Sequence, residues 1–199
     1  MNKDELLELL RKKGFSEEII SAFAKVKREE FVPQNLVGYA YEDMALPVMD
    51  GSTLSQPSTA AFMLNLLEPK EGQKILEIGS GSGYVLSLLS EIVKESGKVY
   101  GVEIIKDLAI ASKKRLESKK NIEIIIRSGF NGLPEFSPYD RILVSASAEN
   151  VPYHLLSQLK ENGILVSAVK NSIIRIKKEQ GKTYEEEFPG FAFVPLRQE

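Results

Sequence analysis

Apolar residues recur at helical spacing in two stretches near the start of the chain, Leu6, Leu9 and Leu10 within Asp4 to Lys13 and Ile19, Phe23 and Val26 within Glu17 to Lys27. Gly14 separates the two and Pro33 follows the second, so two short helices are predicted. Val32 to Pro57 has no clear period and many turn residues, which in a compact domain marks a binding segment or a lid. Helical spacing returns from Ser58 to Leu67, again through Val85, Leu88, Leu89 and Ile92, and again from Asp107 to Lys119. Short apolar runs between them predict strands at Lys74 to Ile78, Lys98 to Glu103, Ile122 to Ile126, Arg141 to Ser145 and Ile164 to Val169, with a helix over Val151 to Leu159. The end changes character: Ile173 to Lys178, a turn at Glu179 to Lys182, Thr183 to Phe188 and Phe191 to Val194 read as strands joined by turns. Regular alternation of strand and helix predicts an α/β fold, a doubly wound and mostly parallel sheet with helices on both faces.

Composition narrows the chemistry. The 199 residues, 43% hydrophobic and 27% charged, are enough for one core, and no internal repeat divides them. A formal net charge of −2 with no polybasic cluster offers no footprint for nucleic acid or a membrane surface. The first twenty residues mix charged and apolar groups, and no run approaches a membrane span, so a cytoplasmic protein is expected; a monomer is the accompanying expectation, on which these features do not bear. No cysteine is present and His154 is the single histidine, which leaves no thiolate nucleophile, no disulfide and no His cluster for a catalytic metal.

The segment Lys74-Ile75-Leu76-Glu77-Ile78-Gly79-Ser80-Gly81-Ser82-Gly83-Tyr84 therefore stands out. It reads as strand, glycine loop and helix, and glycines let backbone N–H groups approach a ligand closely. The spacing is Gly-x-Gly-x-Gly with Glu77 beside it, whereas a dinucleotide pyrophosphate favours Gly-x-Gly-x-x-Gly without a nearby acid. A cofactor with a cationic centre and an amino acid tail, of which S-adenosylmethionine is the common one, suits that acid better; a simple tight turn is the alternative. Glu103 ends the next strand, where an acid can accept both hydroxyls of a ribose.

Gly51-Ser52-Thr53-Leu54-Ser55-Gln56-Pro57 ahead of the glycine loop resembles the protein-L-isoaspartate O-methyltransferase family, and the resemblance runs nearly end to end. Arg28-Glu29-Glu30-Phe31-Val32-Pro33, Ala40-Tyr41-Glu42-Asp43, Leu133-Pro134-Glu135-Phe136, Pro138-Tyr139-Asp140-Arg141-Ile142 and Phe193-Val194-Pro195-Leu196 are similar to family segments in order. It implies a seven-stranded class I methyltransferase fold in one domain, with helices and lid in 1–57, the cofactor-binding core in 58–170 and C-terminal strands in 171–199. It also implies methyl transfer from S-adenosylmethionine, leaving S-adenosylhomocysteine, to isoaspartyl carboxylates of damaged proteins or peptides. Residue by residue, it places Ser55 at the methyl group and Thr53, Leu54 and Ser145 in the substrate wall. Around the cofactor it places Glu77, Gly79, Ser80, Gly81 and Gly83 at the methionine part, Glu103 at the ribose, and Ile104 with Ser128, Gly129 and Phe130 near the adenine.

The chain departs from the family where Ser128-Gly129-Phe130 replaces Gly-Asp-Gly, and at Ser52, Ser145-Ala146-Ser147-Ala148 and Ala168-Val169-Lys170. A methyltransferase-like binder that transfers nothing, or an enzyme for another acidic acceptor, is the competing reading. Methyl transfer to a carboxylate fits the residue inventory, because a carboxylate with a reference pKa near ~4 is ionised at pH 7 and needs no general base.

Overall fold

The computed structural model describes residues 1–196. Helix α1 (Lys3–Lys12) begins in a capping box, in which Asn2 Oδ1 accepts the Glu5 N–H at 3.0 Å and Glu5 Oε2 accepts the Asn2 N–H at 2.7 Å. Helix α2 (Glu17–Lys25) is capped by Ser16. Their leucine and isoleucine faces are buried, as the spacing predicts. Two 3-10 turns, Arg28–Phe31 and Gln34–Tyr39, lead to a small hairpin of β1 (Leu46–Pro47) and β2 (Thr53–Leu54), so the aperiodic segment contains little regular structure.

Helix α3 (Pro57–Leu67) then precedes the core elements: β3 (Lys74–Ile78), α4 (Tyr84–Val93), β4 (Lys98–Glu103), α5 (Lys106–Arg115), β5 (Ile122–Ile126), β6 (Tyr139–Ala148), β7 (Leu159–Val169), β8 (Ser172–Glu179) and β9 (Lys182–Pro189). The seven-stranded sheet has the order β5-β4-β3-β6-β7-β8-β9; β5 through β7 run parallel, and β8 and β9 return antiparallel. An α/β fold with a mostly parallel central sheet results, as expected. Strand order reverses between β3, which pairs with β4 on one side, and β6 on the other, and such a switch point opens a crevice at the strands' carboxyl ends.

The pleat sorts the apolar side chains into two cores. Ile75, Val99, Leu143, Ile164, Val166 and Ile173 face the helices α1 to α5. Leu76, Ile78, Val102, Ile142, Leu165 and Ile174 face a thinner layer built around the 3-10 turns Pro134–Phe136 and Tyr153–Gln158. That layer corrects two sequence expectations. The helix expected over Val151 to Leu159 is a 3-10 turn, because only six residues separate Pro152 from the start of β7 at Leu159, enough to insert Leu155 into the core and no more. The strand expected over Phe191 to Val194 is an irregular segment that follows Gly190 (φ +98°). It lies along the end of β6, where Ser147 N–H donates to Val194 O and Leu196 N–H donates to Ser147 O, both at 2.8 Å.

Among the described residues no helix is long and apolar enough to cross a membrane.

Candidate functional site

A cavity of about 620 Å³ opens at the carboxyl ends of β3, β4 and β6, the position the strand order marks for a ligand. Separate parts of the chain wall it, chiefly Gly51 to Gln56, the ends of β3, β4 and β6 with the loops after β3 and β4, and Gly190 to Leu196, with Ala45, Thr59 and Gly129 adding to it.

The glycine loop is shaped by the packing beneath it. Gly79 and Ser80 N–H groups donate to Val102 O at 2.9 and 3.0 Å, tying the loop to β4. A Cβ on Gly79 would lie 3.2 Å from that of Ala146 on β6. Gly83, with φ +85° at the start of α4, lies so close to α5 that a Cβ would come within 2.3 Å of Ser112 Oγ and 2.7 Å of Leu116. It therefore sets the approach of two helices and is not part of the cavity wall.

Two acids face the loop. Glu103 is nearly buried; its Oε2 accepts the Gly81 N–H at 2.8 Å and its Oε1 accepts the Ile105 N–H at 2.9 Å. Both carboxylate oxygens are thus held at the mouth of β4 with lone pairs to spare. Glu77 is 1% exposed; Ser145 Oγ donates to its Oε1 at 2.6 Å, while its Oε2 is buried without a partner. Burial pushes the Glu77 carboxyl up to about 8, against the Ser145 hydrogen bond, and the charge of Glu103 adds to the rise. An unpaired buried carboxylate oxygen is costly unless a donor or cation meets it. Ser80 Oγ is likewise buried and unpartnered. These acceptor groups fit a ligand carrying an ammonium and a diol.

The opposite wall is the hairpin. In its register Leu46 lies across from Leu54 and Pro47 from Thr53, so Ala45 and Ser55 emerge together, and both line the cavity. Ser55 is half-buried and its hydroxyl makes no hydrogen bond among the described residues. The segment leading into the hairpin is held by Arg28, a fully buried side chain whose Nε donates to Ala40 O at 2.7 Å and whose guanidinium lies 4.9 Å from the centre of the Tyr84 ring. Asp43 Oδ1 accepts the Ser58 N–H at 2.8 Å at the start of α3, fixing the turn that follows Ser55.

Of the residues singled out from sequence, Thr53, Leu54, Ser55, Glu77, Gly79, Ser80, Gly81, Glu103, Ile104, Gly129 and Ser145 converge on this cavity. Gly83, Ser128 and Phe130 do not line it. Ser128 Oγ accepts the Phe130 N–H at 3.4 Å, and Phe130 lies outside, 42% exposed against the ring of His154. Lys170 is exposed in the β7–β8 turn and also lies off the cavity. The wall formed by Phe191, Phe193, Pro195 and Leu196 had no role in the sequence reading. Its signal was the aromatic alternation itself, which packs: Phe191 stacks on Phe62 with ring centres 5.4 Å apart.

Comparison with known proteins agrees with this geometry. A family model described as protein-L-isoaspartate(D-aspartate) O-methyltransferase matches residues 1–199. A protein-L-isoaspartate O-methyltransferase of Methanosarcina mazei is 40% identical over 98% of this chain and 86% of its own, and one of Fervidobacterium nodosum is 40% identical over 96% and 100%. Among solved structures, a protein-L-isoaspartate O-methyltransferase superposes with a TM-score of 0.90 at 30% identity, covering 98% of this chain, which spans only 65% of that longer one. A protein described as a putative protein-L-isoaspartate O-methyltransferase of Plasmodium falciparum, in complex with S-adenosyl-L-homocysteine, gives 0.87 at 25% identity over the whole of both chains. By the match along its whole length and by the site that length assembles, this chain belongs to the protein-L-isoaspartate(D-aspartate) O-methyltransferase family.

Proposed function

We propose that this protein transfers a methyl group from S-adenosylmethionine to the carboxylate of L-isoaspartyl residues in damaged proteins or peptides, the step that begins their repair. The observation that carries the reading is the opening of the glycine loop and the Ser55 turn onto one cavity, in a chain of this family. S-adenosylmethionine, when bound, supplies an electrophilic methyl group on a sulfonium sulfur, which keeps the bonding electron pair as the acceptor oxygen is esterified.

The chain's own residues bind, orient and exclude water. Glu77 Oε2 would meet the cofactor's ammonium, Glu103 would accept the ribose hydroxyls on lone pairs left by Gly81 and Ile105, and Ile104 and Gly129 would flank the base. Recognition of the base edge then rests on shape and backbone, since Ser128 does not line the cavity. Ser55 would donate a hydrogen bond from its hydroxyl to the acceptor carboxylate and so aim the attacking oxygen, with Thr53, Leu54 and Ser145 as the surrounding wall. No group has to remove a proton, because the acceptor is already an anion near neutral pH. Positioning of this kind supplies about 7–11 kcal/mol in well-oriented reactions. Within that scheme residues 1–57 carry the acceptor side, 58–170 the cofactor side, and of the C-terminal part Gly190 to Leu196 close the cavity.

The test is transfer of labelled methyl to an isoaspartyl peptide, with its normal aspartyl twin and Ser55→Ala as controls. Base-labile ester on the isoaspartyl peptide alone, with kcat lowered on the order of 100-fold in the variant, is the expected result. Cofactor binding without ester on any acidic peptide would overturn it in favour of a non-transferring binder.

A further inference from the structure

Nine large apolar or aromatic side chains are exposed among the described residues, and four of them, Val37, Tyr39, Met44 and Met49, fall within residues 37–49. Scattered exposed apolar groups are ordinary, but a concentration beside a cavity marks a contact surface. Two of the four, Met44 and Met49, adjoin residues that line the cavity. Met44 and Met49 flank the β1 strand Leu46–Pro47, whose partner strand Thr53–Leu54 runs directly into Ser55. Met44, 48% exposed, immediately precedes Ala45, which lines the cavity opposite Ser55. Met49, 40% exposed, holds the hairpin tip: its carbonyl accepts from the Ser52 N–H at 2.8 Å and from Ser52 Oγ at 2.5 Å, and Ser52 lines the cavity too. Tyr39, 56% exposed, connects to Met44 through Glu42, by Glu42 N–H to Tyr39 O at 3.0 Å and Met44 N–H to Glu42 O at 2.8 Å.

We infer that Tyr39, Met44 and Met49 form an apolar rim that grips the residues flanking the methylated carboxylate, so that this enzyme favours acceptor segments with apolar neighbours. The inference rests on the acceptor assignment above. An acceptor that is one residue of a polypeptide must leave the cavity in both directions, and Met44 and Met49 adjoin the lining residues Ala45 and Ser52 on the Ser55 side of that cavity. Continuity with the cavity singles out that chain as the occupant. Methionine is well suited to such a rim, because its unbranched thioether moulds to differing partners, as a surface serving many sequences requires. Tyrosine adds area with little entropy to lose.

The test compares two isoaspartyl peptides of equal length and charge, one with leucine or phenylalanine on either side of the isoaspartyl residue and one with serine. The wild-type protein and the double variant Met44→Gln/Met49→Gln are assayed for kcat and KM, with S-adenosylhomocysteine binding as a check of the fold. Partial burial of two methionines predicts a kcat/KM about tenfold higher for the apolar peptide in the wild type, carried by KM, and a gap of less than about twofold in the variant. Ester on both peptides with equal kcat/KM in the wild type, or a preference unchanged in the variant, would overturn the rim and leave the activity standing. Ester on neither peptide would overturn the acceptor assignment and the rim with it. Self-association lost in the variant, with no peptide preference, would give the rim to a second copy of the chain instead.

Discussion

Glu77 concentrates the tension of this site into one side chain. Its carboxyl is held up to about 8 by burial, with one oxygen bonded to Ser145 and the other unpaired. In the unfolded chain the same group titrates near ~4.3, so between roughly pH 4.5 and pH 8 the folded state keeps a proton that the unfolded state has released. Stability is therefore lost as pH rises through that window, by about 3 kcal/mol between pH 5.5 and 8 from this group alone. Glu77→Gln, neutral at every pH, is expected to be more stable than the wild type at pH 8 and to lose that slope; urea unfolding at the two pH values measures both. On the assignment proposed above, cofactor would reverse the sign, since an ammonium against Oε2 favours the ionised carboxylate. Binding of S-adenosylhomocysteine near pH 7 should release about one proton, seen by calorimetry in buffers of different ionisation enthalpy, and should release none from this site in the glutamine variant. The identity of Glu77 was legible in sequence from the glycines that follow it. Its unpaired oxygen was not, because burial and the partner Ser145, 68 residues away, are properties of the assembled sheet.

Elements were legible where the local pattern and the tertiary environment agree. Strands β4 and β5 have the bounds their apolar runs predict, and α1 to α5 differ only at their ends. Local pattern failed where tertiary contacts decide: at the Tyr153–Gln158 turn, short of room before β7, and at Phe191 to Val194, which pairs through Ser147 and stacks on Phe62. Two substitutions test the contacts that hold the site's elements in place. Gly83→Ala combines a left-handed backbone with a Cβ inside contact distance of Ser112 and Leu116, so α4 must lift from α5; a loss of about 2–4 kcal/mol in denaturant unfolding is expected, with cofactor affinity reduced as the loop follows the helix. Arg28→Met keeps the buried volume but strands the Ala40 carbonyl and frees the segment ahead of the hairpin. It should cost about 3 kcal/mol, and hydrogen exchange over residues 40–56 should accelerate more than exchange in β3 or β4.

At the scale of the whole molecule, the cavity exists only because residues more than a hundred positions apart meet at the switch point between β3 and β6. The N-terminal hairpin brings Ser55, the central strands bring Glu77 and Glu103, and the segment after β9 brings the aromatic roof of Phe191 and Phe193. Each part folds against a different portion of the core, so losing the roof need not dismantle the sheet: Phe191 packs on Phe62 of α3, and the Ser147 bridge lies at the outer end of β6. A chain ending at Pro189 is therefore expected to keep its far-ultraviolet circular dichroism yet lose the closed cavity. Ligand linkage gives the measurement. S-adenosylhomocysteine at about 100 times its Kd stabilises a folded state by about 2.7 kcal/mol, which for a chain of this size raises Tm by about 5–11 °C. The truncated chain should show less than about half that shift at the same ligand concentration, whatever its own starting Tm. An undiminished shift would mean that the glycine loop and the two acids hold the cofactor unaided, and would confine the roof to the acceptor side of the site.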